Sequence, residues 1–312
     1  MKTNLRIGVV LAGLALATLA EAQFNWTTNG DSTVTITGYT GSGGAVIIPI
    51  MINGLAVTSI GDFAFWGLTN VTSVTIPNSV VRLGAGTFEG CALSSVTIST
   101  SVTNIGGFAF DGSGLTSVTI PNSVTSIEDY AFSDCSSLTN VTIPNGVTRI
   151  TGYAFSDCYS LTDVTIPSSV SFLEGSAFFD CYQLTSVFFM GNAPPFDYTT
   201  FENSDNATVY YLPGTSGWTG TFDKRPTEPW ALPYPIILTG GPGFGVLTNG
   251  FGFTISWVTN ASVVVEVCTN LSAPIWTPVS TNNQTLSTGV SYFTDPLWTH
   301  HPIRFYRVAS PH

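Results

Sequence analysis

The stretch LTNVTIPNGVTRITGYAFSDCYS, residues 138–160, is followed directly by LTDVTIPSSVSFLEGSAFFDCYQ, residues 161–183, and most of the apolar letters recur in register. Tandem units of 23 residues indicate a repeat architecture. One such unit cannot bury its apolar side alone, so the units must stack on their neighbours. The repeat therefore predicts a solenoid with one coil per unit.

The repeat extends in both directions from these two units. One column of phenylalanines, spaced 22 or 23 residues apart, consists of Phe65, Phe88, Phe110, Phe132, Phe155, Phe178 and Phe201. Columns that keep the same step begin at Val74, Ile76 and Leu83. We expect each coil to contribute one residue of every column to a continuous core.

The order of residues within one coil predicts its local structure. The segment LTSVTIP, residues 115–121, is β-branched and alternating, which is typical of a short strand, and Pro121 ends that strand because proline has no N–H to donate. The following PNSV is typical of a turn. Ala131 and Phe132 then predict a short helical or irregular return, so the expected solenoid has a parallel β-sheet along one face.

The pattern L-x-x-V-x-I-P-x-S-V-x-x-I-x-x-x-A-F-x-x-C, residues 115–135, resembles the BspA-like leucine-rich repeat of bacterial surface proteins. The resemblance covers about residues 24–222, with departures at Ser99, Ser113, Met190 and Ser204. That family includes adhesins. The resemblance therefore implies a binding protein rather than an enzyme, with an extracellular protein or a glycan as its partner. A purely structural envelope component is the alternative.

The first residues predict export. Residues 1–22 have the pattern of a signal peptide, in which Lys2 and Arg6 precede an apolar run and Ala20-Glu21-Ala22 forms the cleavage site. The run from Ile7 to Leu19 is too short to span a bilayer. We therefore expect an extracellular or cell-surface protein with no membrane span after cleavage.

The rest of the chain divides by composition. Residues 23–54 are predicted to form an N-terminal capping region, residues 55–222 the solenoid with its closing coil, and residues 223–250 a Pro- and Gly-rich linker. Residues 251–312 contain five strand candidates, which predict a small β-sandwich-like module. This module resembles one found on other secreted bacterial repeat proteins, and carbohydrate binding through it is a further alternative.

Charge and motif content exclude several function classes. Charged residues make up 9% of the chain, and removal of residues 1–22 leaves six basic and 18 acidic residues, a net charge of −12. Such a protein repels phosphate backbones, so nucleic acid is not an expected partner. We find no nucleophile, metalloprotease or phosphate-loop motif. The sequence predicts a monomeric non-enzyme without a cofactor.

Cysteines recur three residues after the phenylalanine column, at Cys91, Cys135, Cys158 and Cys181. Coils stacked about 4.8 Å apart place the last three within disulfide range, whereas Cys91 is two coils from Cys135. Two alternatives stay open: a column of buried free thiols, or one disulfide between Cys158 and either Cys135 or Cys181. A zinc site lacks the necessary ligands, because no histidine precedes residue 300.

An acidic column precedes the cysteines, at Asp134, Asp157 and Asp180. Stacked carboxylates repel one another, and either solvent or a bound Ca²⁺ can relieve that repulsion. We expect no metal here other than this candidate calcium column. Turn residues in contact with solvent are the alternative interpretation.

The outward face of the predicted sheet gives the candidate binding site. If Val118 and Ile120 point inward, strand alternation turns their neighbours outward. The candidate ligand-binding residues are Ser117, Thr119, Asn140, Thr142, Asp163, Thr165, Phe188 and Tyr211, with Val209 beside them. This row predicts a surface for a neutral polar ligand, with Phe188 and Tyr211 as stacking anchors. An ice-binding surface and a row kept only for solubility are the alternatives.

Overall fold

The computed structural model describes residues 22–230, 236–238, 244–247, 250–256, 262–283, 290–300 and 303–309. The predicted signal peptide therefore lies outside the described residues except for its last position. The strands are β1 (Phe24–Thr28), β2 (Thr33–Tyr39), β3 (Gly44–Ile47), β4 (Met51–Ile52), β5 (Leu55–Ile60), β6 (Val71–Thr75), β7 (Arg82–Leu83), β8 (Ser95–Thr97), β9 (Asn104–Ile105), β10 (Ser117–Thr119), β11 (Ser126–Ile127), β12 (Asn140–Thr142), β13 (Arg149–Ile150), β14 (Asp163–Ile166), β15 (Phe172–Leu173), β16 (Ser186–Phe189), β17 (Thr208–Tyr211), β18 (Thr221–Phe222), β19 (Arg225–Pro229), β20 (Ile236–Leu238), β21 (Gly245–Leu247), β22 (Gly250–Ser256), β23 (Ser262–Cys268), β24 (Thr277–Asn283), β25 (Val290–Asp295) and β26 (Phe305–Ala309). A 3₁₀ helix follows β25 at Trp298–His300.

The chain forms two compact units. The first comprises the described residues up to Val187 together with Pro194–Thr208 and Asp223–Arg225. The second comprises Phe188–Ala193, Val209–Phe222 and the described residues from Pro226 onward. The first unit therefore contains most of the predicted solenoid.

Each solenoid coil in the first unit contributes one strand to each of two sheets. The front sheet has two parts, with the orders β3-β6-β8 and β10-β12-β14-β16. The rear sheet has the order β1-β2-β5-β7-β9-β11-β13-β15, with β4 paired to β5. Coil-to-coil pairing is parallel and in register, as in Ser117↔Asn140 and Ile127↔Ile150. The predicted solenoid is confirmed, with a second parallel sheet in addition to the expected one.

The core consists of the predicted columns. All seven phenylalanines of the ladder are fully buried, and successive ring centroids lie 5.0 to 5.6 Å apart. The front-sheet valines and the rear-sheet column from Leu83 to Leu173 are also buried, except that Val96 is half-buried in β8. Continuous stacking replaces the separate hydrophobic core that a single repeat is too short to build.

The returns between the sheets contain no helix in any described coil, so of the expected helical or irregular returns the structure has irregular ones. In most returns, three N–H groups donate to carbonyl oxygens of the next coil. In one return, Phe108 donates to Asp129, Phe110 to Ala131 and Gly112 to Ser133, at 2.9 to 3.0 Å. The returns thus form a third hydrogen-bonded ladder that satisfies the backbone without intrahelical bonds.

Strands β19, β20 and β21 lie within residues 223–250, which the sequence predicted to be a linker. Strand β19 pairs in parallel with β17, with Val209 opposite Thr227, and β18 lies beside β19. Within the stretch predicted to be a linker, Arg225–Pro229 therefore form a paired strand. Pro226 and Pro229 both lie in β19 and have no backbone N–H to donate to a neighbouring strand. These prolines gave the segment the composition of a linker.

The strands from β20 onward form two small sheets. One has β22 between β20 and β21, with β25 also paired to β22, and the other has the order β24-β23-β26. A cluster of Phe253, Ile255, Val263, Val265 and Phe293 joins them. All five strand candidates of the predicted β-sandwich-like module are present as β22 to β26. None of the described residues belongs to a helix with the length and hydropathy needed to span a bilayer.

Candidate functional site

The predicted outward row is present on the front sheet of the first unit. Ser117, Thr119, Asn140 and Thr142 are exposed, and they pair as Ser117↔Asn140 and Thr119↔Thr142. Between them, the valines of β10 and β12 point inward and are 4% exposed. Because successive side chains of a strand point to opposite faces, the front sheet has one buried apolar face and one exposed face rich in hydroxyl groups, as the sequence predicted.

The row continues onto β14, where its character changes. Thr165 lies opposite Thr142, but both Asp163 and Thr165 are half-buried rather than exposed. The carboxylate of Asp163 accepts a hydrogen bond of 2.9 Å from the Thr162 hydroxyl. The row therefore presents neutral hydroxyl and amide groups over two coils and a single carboxylate on the third.

The aromatic anchors lie in the second unit, and the predicted partner of Phe188 was displaced by one residue. Val209, expected to point outward, is fully buried, and Tyr211 stacks on Trp218 with centroids 5.2 Å apart. The ring that stacks on Phe188 belongs to Tyr210, at 5.1 Å. The last coil step is 22 residues, from Val187 to Val209, whereas the prediction continued the preceding step of 23.

Phe188 is also covered by a residue that sequence reasoning had not placed there. The Trp230 ring lies 4.6 Å from the Phe188 ring, and the Trp230 backbone N–H donates to the Tyr211 carbonyl at 2.7 Å. All three rings of the cluster Phe188, Tyr210 and Trp230 are half-buried. The cluster therefore packs mainly against itself. Its sequence signal was the tryptophan immediately after the strand-forming segment RPTEP, residues 225–229.

The cysteine column consists of buried free thiols in the structure. The Cys158 Sγ donates to the Phe132 carbonyl oxygen at 3.3 Å, and the Cys181 Sγ donates to the Phe155 carbonyl oxygen at 3.2 Å. Ser204 occupies the same column, and its hydroxyl donates to the Phe178 carbonyl at 2.8 Å. At this position, a small buried side chain therefore donates a hydrogen bond to the carbonyl oxygen of the ladder phenylalanine in the preceding coil. Of the two alternatives, the structure has the free thiols.

Burial controls the chemistry of these thiols. It raises the pKa of Cys91 to about 11, and it raises the pKa of both Cys135 and Cys181 to about 12. Burial, followed by the neighbouring cysteines, also raises the pKa of Cys158 well above its ordinary value. Because the thiolate is the reactive form, the column is chemically inert at neutral pH.

The acidic column adopts a left-handed backbone. Asp134, Asp157 and Asp180 have φ of 49°, 58° and 56°, and the same column holds Gly112 at 64° and Asn203 at 61°. Glycine, asparagine and aspartate are the residues that enter this region most readily. The recurrence of Asp before Cys is thus explained by the turn geometry of the return.

The structure gives no support to the calcium interpretation of that column. Within the described part of the chain, no three His, Cys, Asp or Glu side chains converge as metal ligands. The carboxylates instead accept hydrogen bonds nearby, since the Tyr159 hydroxyl donates to Asp157 at 3.0 Å and the Asn203 amide donates to Asp180 at 2.7 Å. These contacts are those of turn residues facing solvent.

A comparison with known protein families assigns these coils to a family of repeats. The model of the BspA type leucine-rich repeat region matches residues 50–112 and 103–216, with six copies. The chain belongs to this family. No curated protein sequence matches the chain significantly.

Several solved structures of leucine-rich repeat proteins are similar to the chain. A leucine-rich repeat protein of T. pallidum is 30% identical, with 66% of this chain and 89% of that chain covered and a TM-score of 0.45. A leucine-rich repeat protein of Bacteroides ovatus is 22% identical, with 61% and 70% covered and a TM-score of 0.33. A leucine-rich cell surface protein of Faecalibacterium prausnitzii is 19% identical, with 63% and 94% covered and a TM-score of 0.20.

Proposed function

We propose that the protein is an exported, non-catalytic binding protein that holds a neutral glycan on the front sheet of its first unit. The observation that carries this proposal is the row of exposed hydroxyl and amide groups at Ser117, Thr119, Asn140 and Thr142, set in register on a rigid ladder. Sugar hydroxyls pair with such groups as both donors and acceptors. The proposed location is the cell surface or the extracellular medium, in keeping with the predicted signal peptide.

The rigidity of the row supports binding. The four side chains project from β10 and β12, which pair with each other in parallel, and β12 also pairs with β14. These strands lie above a buried ladder of valine and phenylalanine. A surface fixed in advance loses little conformational entropy when a ligand docks. Threonine supports this further because its branched side chain has few rotamers.

The aromatic cluster of the second unit favours a structural role over an anchoring one. Phe188 is in contact with both Tyr210 and Trp230, and all three rings are half-buried. Rings packed on one another and half-buried offer less surface to a sugar ring than exposed ones. The proposal therefore assigns the glycan to the hydroxyl-rich row alone.

A glycan array with the purified full-length mature chain tests this proposal. The variant Thr119→Lys/Thr142→Lys places bulky charges in the row, and we expect it to lose at least about tenfold in affinity for any glycan that the wild type captures. The matched control is Thr103→Lys/Thr125→Lys, because these threonines are exposed away from the row. Equal glycan capture by the two variants argues against the row. If the wild type captures no glycan at all, the proposed ligand class is wrong.

A further inference from the structure

A row of exposed aromatic rings follows the returns of the first unit. Phe108, Tyr130 and Tyr153 each precede a ladder phenylalanine by two residues, and their ring centroids lie 4.6 and 4.8 Å apart with planes within 7°. Phe108 and Tyr153 are 39% and 37% exposed. The rings stack on one another, and the middle ring, Tyr130, is half-buried.

The fold does not demand aromatic side chains in this column. The three residues have φ between 57° and 59°, and Gly86 and Ser176 occupy the same column at 56° and 61°. The turn therefore requires a left-handed residue, which glycine supplies without a steric penalty. The turn does not require aromatic side chains at these three positions, and Phe108 and Tyr153 keep solvent-exposed surface that is available for contact with another molecule.

Carboxylates border the aromatic row. Asp134 and Asp157 lie four residues after Tyr130 and Tyr153, and Asp111 lies close enough for its charge to act on Tyr130. Burial first, and then the charges of Glu89, Asp134 and Asp157, raise the pKa of Asp111, and burial followed by the charge of Asp157 raises the pKa of Asp134. None of the ion pairs among the described residues includes Asp111, Asp134 or Asp157. Their mutual repulsion is thus not relieved by a basic side chain there.

We propose that the return-face surface, defined as Phe108, Tyr130, Tyr153, Asp111, Asp134 and Asp157, docks a segment of another polypeptide that is rich in arginine and lysine. Charge complementarity selects this partner, because the cationic head groups neutralise carboxylates that repel one another. The methylene stems of arginine and lysine pack on the exposed ring edges. The net charge of −11 on the whole chain steers such a segment toward the protein.

The extent of the surface favours a polypeptide over a free metal ion. Its carboxylates come from three successive coils, and Asp134 and Asp157 occupy equivalent positions about 5 Å apart, so the charges are spread along the solenoid instead of converging on one point. No convergent group of metal-ligating side chains exists among the described residues. Several cations linked in one chain match this arrangement. The surface is separate from the glycan row on the front sheet, and the two proposals do not depend on each other.

The experiment measures fluorescence anisotropy with a labelled ten-residue peptide of alternating Arg and Ser, titrated with the purified full-length mature chain. The matched probe has Glu in place of Arg. We expect saturable binding of the Arg peptide alone, with affinity that falls steeply as salt rises from about 50 to 500 mM. The variant Asp111→Asn/Asp134→Asn/Asp157→Asn keeps residues that tolerate a left-handed turn, and we expect it to weaken binding about tenfold.

Two comparisons distinguish binding at the return-face surface from nonspecific attraction of a basic peptide to an acidic protein. The control Asp31→Asn/Asp163→Asn/Glu228→Gln removes the same charge elsewhere, and we expect it to stay within about twofold of the wild type. Tyr130→Ser/Tyr153→Ser removes the rings, and we expect a loss similar to that of the carboxylate variant, while Tyr130→Phe/Tyr153→Phe retains binding and preserves the stack. The proposal is overturned if the control loses as much as the carboxylate variant, or if Tyr130→Ser/Tyr153→Ser, folded by its melting curve, binds as tightly as the wild type.

Discussion

The thiol of Cys158 donates a hydrogen bond of 3.3 Å to the carbonyl oxygen of Phe132, the ladder phenylalanine of the preceding coil. The same bond joins Cys91 to Phe65 at 2.9 Å, and Ser204 makes its oxygen counterpart with Phe178. The recurring cysteine of the repeat therefore supplies a hydrogen-bond donor to a backbone carbonyl oxygen that is buried between coils.

This bond predicts how the cysteine position responds to substitution. We expect Cys158→Ser to be tolerated nearly as well as the native residue, because serine already serves at position 204, whereas Cys158→Ala removes the donor and leaves a small void. The loss for alanine is about 1 to 3 kcal/mol in the free energy of unfolding. Urea unfolding of the two variants measures it. A serine variant less stable than the alanine variant would show that packing, not the hydrogen bond, decides this position.

Thiol titration tests the free state of the column. All five cysteines are buried and free in the structure. Because thiolate is scarce and access is blocked, we expect no reaction with an aromatic disulfide reagent at pH 8 in the native protein. Unfolding in denaturant should release five thiols per chain. Three thiols would mean that one disulfide, involving Cys158 and a neighbouring cysteine, forms in the purified protein.

The left-handed turn predicts that glycine is a better substitute than alanine at this position, which is the reverse of the order in a strand. At Asp157, with φ of 58°, Asp157→Ala forces an alanine into a region that costs about 1 kcal/mol, while Asp157→Gly avoids that strain. The front-strand residue Asp163 is the control, since glycine destabilises a strand by roughly 0.5 to 1 kcal/mol relative to alanine. We expect glycine to be the better substitute at 157 and alanine at 163, as measured by melting temperature. The same order at both sites contradicts this account of the Asp column.

The sequence predicted the core far better than the returns. The columns of Phe132 and Val118 were readable because burial imposes one apolar residue per coil, and periodicity alone locates them. The returns follow a different constraint, the sign of φ, which glycine, asparagine and aspartate all meet. The sequence left two interpretations of the aspartates open, turn residues and a calcium column, and the positive φ shared by Gly112, Asp134 and Asn203 favours the turn residues.

The outward residues were predictable only where the repeat length stayed constant. From Val118 to Val187 each step is 23 residues, and the exposed pairs on β10 and β12 were predicted correctly. The next step shortens to 22, so Tyr210 and not Tyr211 stacks on Phe188. In a strand, a shift of one residue exchanges the two faces. Nothing local in the string TVYY distinguishes the two tyrosines, and only the burial of Val209 does so.

The repulsion among the return carboxylates predicts a pH-dependent gain from removing one of them. Burial, and then the charge of Asp157, holds the pKa of Asp134 above its ordinary value, so its ionised form weakens the folded state near neutral pH. That penalty is present above the folded-state pKa and disappears as the pH falls below the ordinary Asp pKa of about 3.9. We therefore expect Asp134→Asn to raise the free energy of unfolding by about 0.5 kcal/mol at pH 7, an effect of the size typical of exposed charge pairs.

Melting curves of the wild type and Asp134→Asn at pH 7 and pH 3 measure this gain. The difference should vanish at pH 3, where the wild-type carboxyl is protonated in both states. It should also shrink in 1 M salt, in which the screening length is about 3 Å. Asp163→Asn serves as the control, because its neighbours in the front-sheet column, Asn140 and Ser186, carry no charge. A gain that persists at pH 3 would assign the effect to the preference of asparagine for the left-handed turn, since that preference does not titrate.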